Sequence, residues 1–220
     1  MSMEIKIVEN VLKLNESVAQ GNRARFAAAG VTCLNLISSP GSGKTTLLER
    51  TALRLAGRLR LGVIEGDLFT TRDAERIEAH GVPVVQINTR GTCHLEAHMV
   101  AQSLDQLDLS QFDLIFIENV GNLVCPSEYN LGEDHKVVVL SVTEGHDKPA
   151  KYPAVFRRAS ALGVNKLDLL PYTDFDLAEA QADARRLNPD LRLFNLSART
   201  GEGLEAWCDW ILRLSKKKES

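Results

Sequence analysis

The sequence predicts an α/β fold: a mostly parallel sheet of about seven strands flanked by helices, with a further helix at the N-terminus. Three observations carry this. Seven short apolar runs are bounded by turn residues, helical patterns separate them, and several runs are continuously apolar, as strands covered on both faces must be.

The elements follow in order. "VENVLKLNESVAQGNRARF" sets Val8, Val11, Leu12, Val18, Ala19 and Phe26 on one face at helical spacing, an amphipathic helix ahead of the first strand. The runs at 33–38, 61–65, 83–88, 113–118, 136–142, 161–165 and 192–197 read as strands. The last helix, "EGLEAWCDWILRL", gathers Leu204, Trp207, Ile211 and Leu214 on one stripe. Cys33 and Cys208 fall inside these core patterns and read as structural.

The 220 residues suit one sizeable core, short of the roughly 250–300 at which chains split. The expected division is an N-terminal helical extension (1–30), one nucleotide-binding domain (31–215) and a basic tail (216–220). A net charge of −3 leaves no electrostatic footprint for nucleic acid. No run approaches the roughly 20 apolar residues of a membrane span. The first residues carry no signal-peptide core, so the expected compartment is the cytoplasm. Four scattered cysteines in a reducing compartment suggest metal before disulfide.

"SSPGSGKTT" leaves the first strand and opens a helix, the context of a phosphate loop in a P-loop NTPase. Ser38 stands where the first glycine usually sits. Pro40, Gly41, Ser42 and Gly43 allow backbone N–H groups to turn towards a phosphate, and Thr46 continues the helix start. Lys44 is expected to reach the outer phosphates and Thr45 to bind Mg²⁺. "NKLD" and "SAR" follow two later strands and form the expected base site: Asn165, Lys166, Asp168, Ser197, Ala198 and Arg199. A carboxylate at Asp168 accepts from guanine N1–H and N2–H₂. Adenine offers neither donor there, so GTP is favoured over ATP.

Two acidic elements complete the nucleotide site. Asp67, at a strand's carboxyl end, is the expected partner of Thr45 around Mg²⁺. Asp73 either orients the attacking water or caps a helix. Glu118 stands where many GTPases have Asp, and Gly121 is placed to offer its N–H to a γ-phosphate. No arginine finger is evident, so slow intrinsic turnover is expected.

"TCHLEAHMV" places Cys93 beside His94, with His98 four residues on and on the same face if the segment is helical. Thiolate and imidazole suit Zn²⁺ and also accept Ni²⁺. Cys125 follows Gly121 by four residues, so movement of the γ-phosphate sensor would move a metal ligand. Affinities for metal and nucleotide would then be linked in both directions. The plain alternative makes both cysteines small buried residues and both histidines surface residues. One copy supplies two candidate cysteines, so a tetrahedral site can call on a second subunit.

Taken together, "SSPGSGKTTLL", "IEGD", "CHLEAHM", "FIENVGNLVCP", "LSVTEGHDKPAKYP" and "NKLDLLPY" resemble the hydrogenase nickel-incorporation GTPases, the HypB family of SIMIBI-class P-loop proteins, over roughly residues 8–212. The resemblance implies a cytoplasmic GTPase that dimerises with GTP bound and helps insert nickel into the precursor of the [NiFe]-hydrogenase large subunit. A small zinc-containing accessory protein would be its partner. It also implies a Zn²⁺ or Ni²⁺ site at the dimer interface built from Cys93, His94 and Cys125, sometimes with His98. Lys148 would act across the dimer near the nucleotide. The first 30 residues contain no Cys or His, so the family's N-terminal nickel motif does not carry over. Two other readings stand beside this one. One is a regulatory GTPase that carries no metal. The other is a urease- or cobalamin-enzyme maturation GTPase, although Ser127 after Cys125-Pro126 departs from the urease relatives' Cys-Pro-His.

Overall fold

The computed structural model describes residues 3–67, 72–89 and 91–216, with side chains from residue 10 to 215. Seven strands, β1 (Thr32–Ser38), β2 (Leu61–Asp67), β3 (Val84–Asn88), β4 (Leu114–Glu118), β5 (His135–Ser141), β6 (Ala161–Asn165) and β7 (Arg192–Asn195), form one sheet. Their order is β3-β2-β4-β1-β5-β6-β7, and every pairing is parallel. The seven apolar runs of the sequence each contain the core of one strand.

Period-two alternation divides the strands between two helical layers. Leu34, Leu36, Leu114, Phe116, Val137 and Val139 face a core built with α2 (Lys44–Leu55) and α9 (Leu204–Lys216). Intervening residues face the other way: Ile115 and Ile117 towards α1 (Met3–Ala28) and α4 (Ala97–Leu104), and Val138 and Leu140 towards α7 (Pro153–Arg158) and α8 (Leu177–Leu187). On α9, Leu204, Trp207 and Ile211 are buried and Leu214 packs partly against them. The Trp207 indole N–H donates to Thr51 Oγ1 at 2.9 Å, fixing α9 to α2. Cys33 and Cys208 are buried in these layers. No described helix is long and apolar enough to cross a membrane.

Two expectations are corrected. On α1, Ala19 and Phe26 are buried, but Val11 is 43% exposed, and Asn15 and Asn22 take places in the buried stripe. The reason is polar. Asn15 accepts from Ala97 N and donates to Asn130 O, while Asn22 donates to Ala97 O and Leu131 O, satisfying backbone groups that would otherwise be buried unpaired. The second correction concerns α4, which begins at Ala97. His94 therefore precedes the helix and shares no helical face with His98. The Val8 side chain and tail residues 217–220 lie outside the described residues.

Because all strands run the same way, their carboxyl ends share one edge. Ser38, Asp67, Glu118, Ser141 and Asn165 close five of the strands there. Register places Glu65 opposite Glu118 and Ser141 opposite Asn165. The short helices α3 (Arg72–Glu78), α5 (Cys125–Glu128) and α6 (Lys148–Lys151) follow at this edge.

Candidate nucleotide and metal sites

The loop 39–43 turns from β1 into α2 through two left-handed glycines, Gly41 (φ 74°) and Gly43 (φ 92°). This is the conformation glycine adopts at no steric cost. A Cβ on Gly43 would lie 2.6 Å from Asn165 Nδ2. Lys44 Nζ donates to Ser38 Oγ at 3.0 Å, and Ser38 in turn donates to Ser39 O. The serine at the first-glycine position thus holds the loop's lysine. A cavity of about 370 Å³ opens above the loop, lined by Pro40 to Thr46, Asp67, Asp73, Arg76, Glu118 and Gly121. The buried Ser42 Oγ has no hydrogen-bond partner among the described residues, an open polar atom in the loop that lines this cavity. A Gly121 Cβ would come within 3.0 Å of Pro40, so this glycine seats the 118–121 segment directly against the loop.

Charge is concentrated beneath the cavity. Thr45 Oγ1 donates to Glu118 Oε1 at 2.8 Å, while Glu118 Oε2 is buried and unpartnered among the described residues. A hydroxyl, a half-open carboxylate and Asp67 on the same wall suit a hard oxygen-seeking cation such as Mg²⁺. Burial pushes the Lys44 ammonium pKa down, opposed by Glu118, and burial raises the Glu118 carboxyl. Glu65, absent from the sequence-based site, is buried in mid-strand with an unpartnered Oε2. Burial first, then the neighbouring Glu118, raise its pKa to about 8. The only sequence signal was a carboxylate inside the apolar run "LGVIEGD".

Asp73 lies on the first turn of α3 and accepts from Arg76 Nη1 at 3.1 Å. Arg76 also meets Glu49 at 2.7 Å and Thr46 Oγ1 at 3.2 Å, placing a guanidinium on the cavity wall that sequence reasoning overlooked.

The base loop is cross-braced. Asn165 Oδ1 accepts from Lys166 N and Ala198 N, and its Nδ2 donates to Ser42 O at 2.9 Å. One amide therefore joins the phosphate loop, "NKLD" and "SAR". Lys166 sits at φ 63°, the single non-glycine residue with positive φ among those described, and its Nζ reaches Gly41 O at 2.7 Å. Such a strained conformation persists where surrounding bonds enforce it. Asp168 Oδ1 accepts from Ser197 Oγ at 2.6 Å. Ser197 and Ala198 are buried, whereas Arg199 is exposed. Lys148 sits apart, 3.6 Å from Glu144 and 5.5 Å from the centre of the Tyr152 ring.

Cys93, His94 and Cys125 come together with their ligand atoms all within 4.8 Å of one another. The two sulfurs are 3.0 Å apart, and Cys93 Sγ is 3.8 Å from His94 Nδ1. His94 stacks on Tyr129 with ring centres 4.0 Å apart, and its buried Nε2 has no hydrogen-bond partner among the described residues. Burial lowers the His94 pKa, favouring the neutral ring that ligates metals. The Cys125 thiol is pushed up, first by its contact with Cys93 and then by burial. Two soft sulfurs and a neutral imidazole fit Ni²⁺ or Zn²⁺ chemistry. His98 is not brought into this group. It faces Glu96 at 3.3 Å and is half exposed.

A phosphate loop after β1, a braced base loop and carboxylates at the strand ends define a P-loop nucleotide-binding protein. The family model for the CobW/HypB/UreG nucleotide-binding domain matches residues 32–195. The chain is 55% identical over 212 residues to the hydrogenase maturation factor HypB of Azotobacter vinelandii, covering 96% of this chain and 70% of that protein. Its fold is similar to the crystal structure of Helicobacter pylori HypB in complex with nickel (TM-score 0.88, 40% identity, 92% of this chain and 95% of that one). The Archaeoglobus fulgidus HypB structure is similar too (TM-score 0.87, 37% identity, 92% and 99%). The chain belongs to the CobW/HypB/UreG family and, within it, stands with the HypB proteins.

Proposed function

We propose that this protein is a GTP-hydrolysing metallochaperone that helps deliver nickel during [NiFe]-hydrogenase maturation. One observation carries the reading. Cys125 of the Cys93–His94–Cys125 group opens α5 only four residues after Gly121, the glycine seated against the phosphate loop in the short connection from β4. Similarity to a HypB crystallised with nickel supports the choice of metal. Ni²⁺ is written as the cargo, and Zn²⁺ as a second ion the same ligands accept.

GTP would bind with its phosphates on residues 40–46 and Lys44, and its base between Lys166 and Asp168, with Ser197, Ala198 and Arg199 around it. Mg²⁺ would be held by Thr45 with Asp67, and here Glu118 stands close enough to Thr45 to join them. When bound, the ion neutralises charge on the transferred phosphate. Asp73 is the candidate to position the attacking water. Arg76, already tied to Glu49 and Asp73, has little freedom to serve as an arginine finger, and slow turnover follows.

GTP-dependent dimerisation, with Lys148 acting in trans, belongs to the same reading. Cys93 is exposed and Val124, beside Cys125, is an exposed apolar residue, as a surface shared between two copies requires. The partners would be a small zinc-containing accessory protein and the hydrogenase large-subunit precursor, in the cytoplasm. The division into a helical extension (1–30), a GTPase domain (31–215) and a tail (216–220) is part of this proposal.

The test is a titration of Ni²⁺ and Zn²⁺ into protein loaded with GDP or with a non-hydrolysable GTP analogue, with mass recorded in each state. Metal affinity or stoichiometry should change with the nucleotide, and the analogue should favour the dimer. Equal binding in both states would leave a regulatory GTPase without metal delivery.

A further inference from the structure

The two halves of the metal group are anchored differently. Cys125 opens α5, a helix of four residues held from below by cations on neighbouring elements. Lys136 on β5 donates to Tyr129 O at 2.7 Å and Pro126 O at 3.3 Å, and Arg158 on α7 donates to Ser127 O at 2.6 Å. Cys93 and His94 belong to an irregular segment between β3 and α4. Its nearest inward bond runs from Leu95 N to Asn119 Oδ1 at 3.2 Å. Asn119 directly follows Glu118, and its Oδ1 also accepts from Val120 N at 3.0 Å.

The Asn119 amide continues inward. Its Nδ2 donates to Asn35 Oδ1 at 3.3 Å, and Asn35 Nδ2 donates to Glu133 Oε1 at 3.2 Å. Glu133 accepts from Leu131 N at 2.7 Å and pairs with Lys136 at 3.4 Å. Asn35, Asn119 and Glu133 are all buried. A polar chain therefore runs from the cysteine–histidine loop, past the γ-phosphate sensor, to the lysine that holds the helix of Cys125. Each amide is used as donor and acceptor in one orientation, and buried groups so paired are costly to leave unmade.

We propose that Asn119 is the positioning residue that links nucleotide state to metal geometry. A shift of segment 118–121 carries the Asn119 amide and the bonded Leu95 N with it. The Cys93 end of the loop then moves relative to Cys125, which β5 and α7 hold in place, while the His94 ring stays stacked on Tyr129. Asn122 reinforces the link, donating to Cys93 O at 3.4 Å and accepting from Val124 N at 2.8 Å. This inference rests on the proposed coupling of nucleotide and metal, and names the side chain that transmits it.

Spatial continuity alone does not establish coupling, so the experiment reads coupling itself. Ni²⁺ affinity is measured with GDP and with a non-hydrolysable GTP analogue for wild type, Asn119→Ala and Asn119→Asp. The thiolate-to-nickel charge-transfer absorbance is recorded in each state. Wild type should show an affinity ratio between states on the order of 5- to 150-fold. Asn119→Ala should bring the ratio to within about twofold of unity and make the two spectra coincide. Asn119→Asp keeps the acceptor for Leu95 N and Val120 N, and should retain most of the ratio. Amide exchange at Leu95 in the wild type needs no variant, and its protection should differ between the two nucleotide states. A wild-type ratio of one would overturn the coupling itself, and this inference with it. A normal wild-type ratio preserved in Asn119→Ala, or Leu95 protection identical in both states, would overturn the role of Asn119 alone.

Discussion

Replacing Glu65 by glutamine should make the nucleotide-free protein more stable above neutral pH. Glu65 is buried opposite Glu118 on the adjacent strand, and its carboxyl pKa rises from an ordinary 4.5 to about 8. The folded state then keeps a proton that the unfolded chain has already released, so stability falls as pH rises across that window. The full gap corresponds to about 4 to 5 kcal/mol, at roughly 1.4 kcal/mol per pH unit. The effective dielectric at buried sites is well above that of a dry interior, which reduces this, and a working figure is about 2 kcal/mol. For a domain of this size that is about 4–8 °C in Tm. Glutamine keeps the shape and carries no charge to repel Glu118. Thermal unfolding of wild type and Glu65→Gln, free of nucleotide and with a chelator present, should coincide near pH 5 and separate by about pH 8.5, the variant melting higher. Equal or lower stability of the variant at the alkaline end would refute the argument. It would mean that Glu65 is ionised and usefully paired in the empty protein.

Three further outcomes follow from the geometry. Gly43→Ala places a Cβ 2.6 Å from Asn165 Nδ2 at a positive φ, so it should cost about 1–3 kcal/mol in chemical denaturation and weaken GDP binding in fluorescence titration. Asp168→Asn should lower GTP affinity by about 5- to 150-fold and improve binding of xanthosine triphosphate, whose C2 carbonyl accepts from the new amide; competition calorimetry reads both. A mild thiol oxidant should close the Cys93–Cys125 pair, whose sulfurs are 3.0 Å apart, and abolish Ni²⁺ binding until a reductant is added, with free-thiol counts tracking the change.

Much of the fold was legible because buried parallel strands announce themselves as apolar runs, and each of the seven runs holds one strand. The helices were less so. Asn15 and Asn22 occupy the buried stripe of α1, where apolar residues were expected, because their partners are backbone groups at Ala97, Asn130 and Leu131. Local periodicity registers hydrophobic burial and misses polar burial whose reward comes from distant chain. The start of α4 at Ala97 was hidden in the same way. A helical reading from His94 is compatible with residue preferences, yet Leu95 N is taken by Asn119 instead.

The same physics divides what could be read of the site. The phosphate and base loops are local motifs, and the residues that face one another across them follow strand ends in the expected order. Cys93, His94 and Cys125 were identifiable by chemical type, but the amide that ties the loop of Cys93 and His94 to segment 118–121 was not. Asn119 and Asn35 are separated by 84 residues, and Asn35 and Glu133 by 98. Asn119 lies in "FIENVGNLVCP", which does not reveal its partners, and neither Asn35 nor Glu133 stands in a motif. Sequence placed a soft ligand four residues from Gly121, the expected γ-phosphate sensor, and implied that the two move together. On the inference drawn above, Cys125 is also pinned through α5 to β5 and α7, and the loop that carries Cys93 is tied to segment 118–121 by Asn119, with Asn122 beside it. A metal site split between a fixed support and a movable one changes its geometry when only one side shifts, and a shift of a few tenths of an ångström alters a metal–ligand bond far more than a hydrophobic contact.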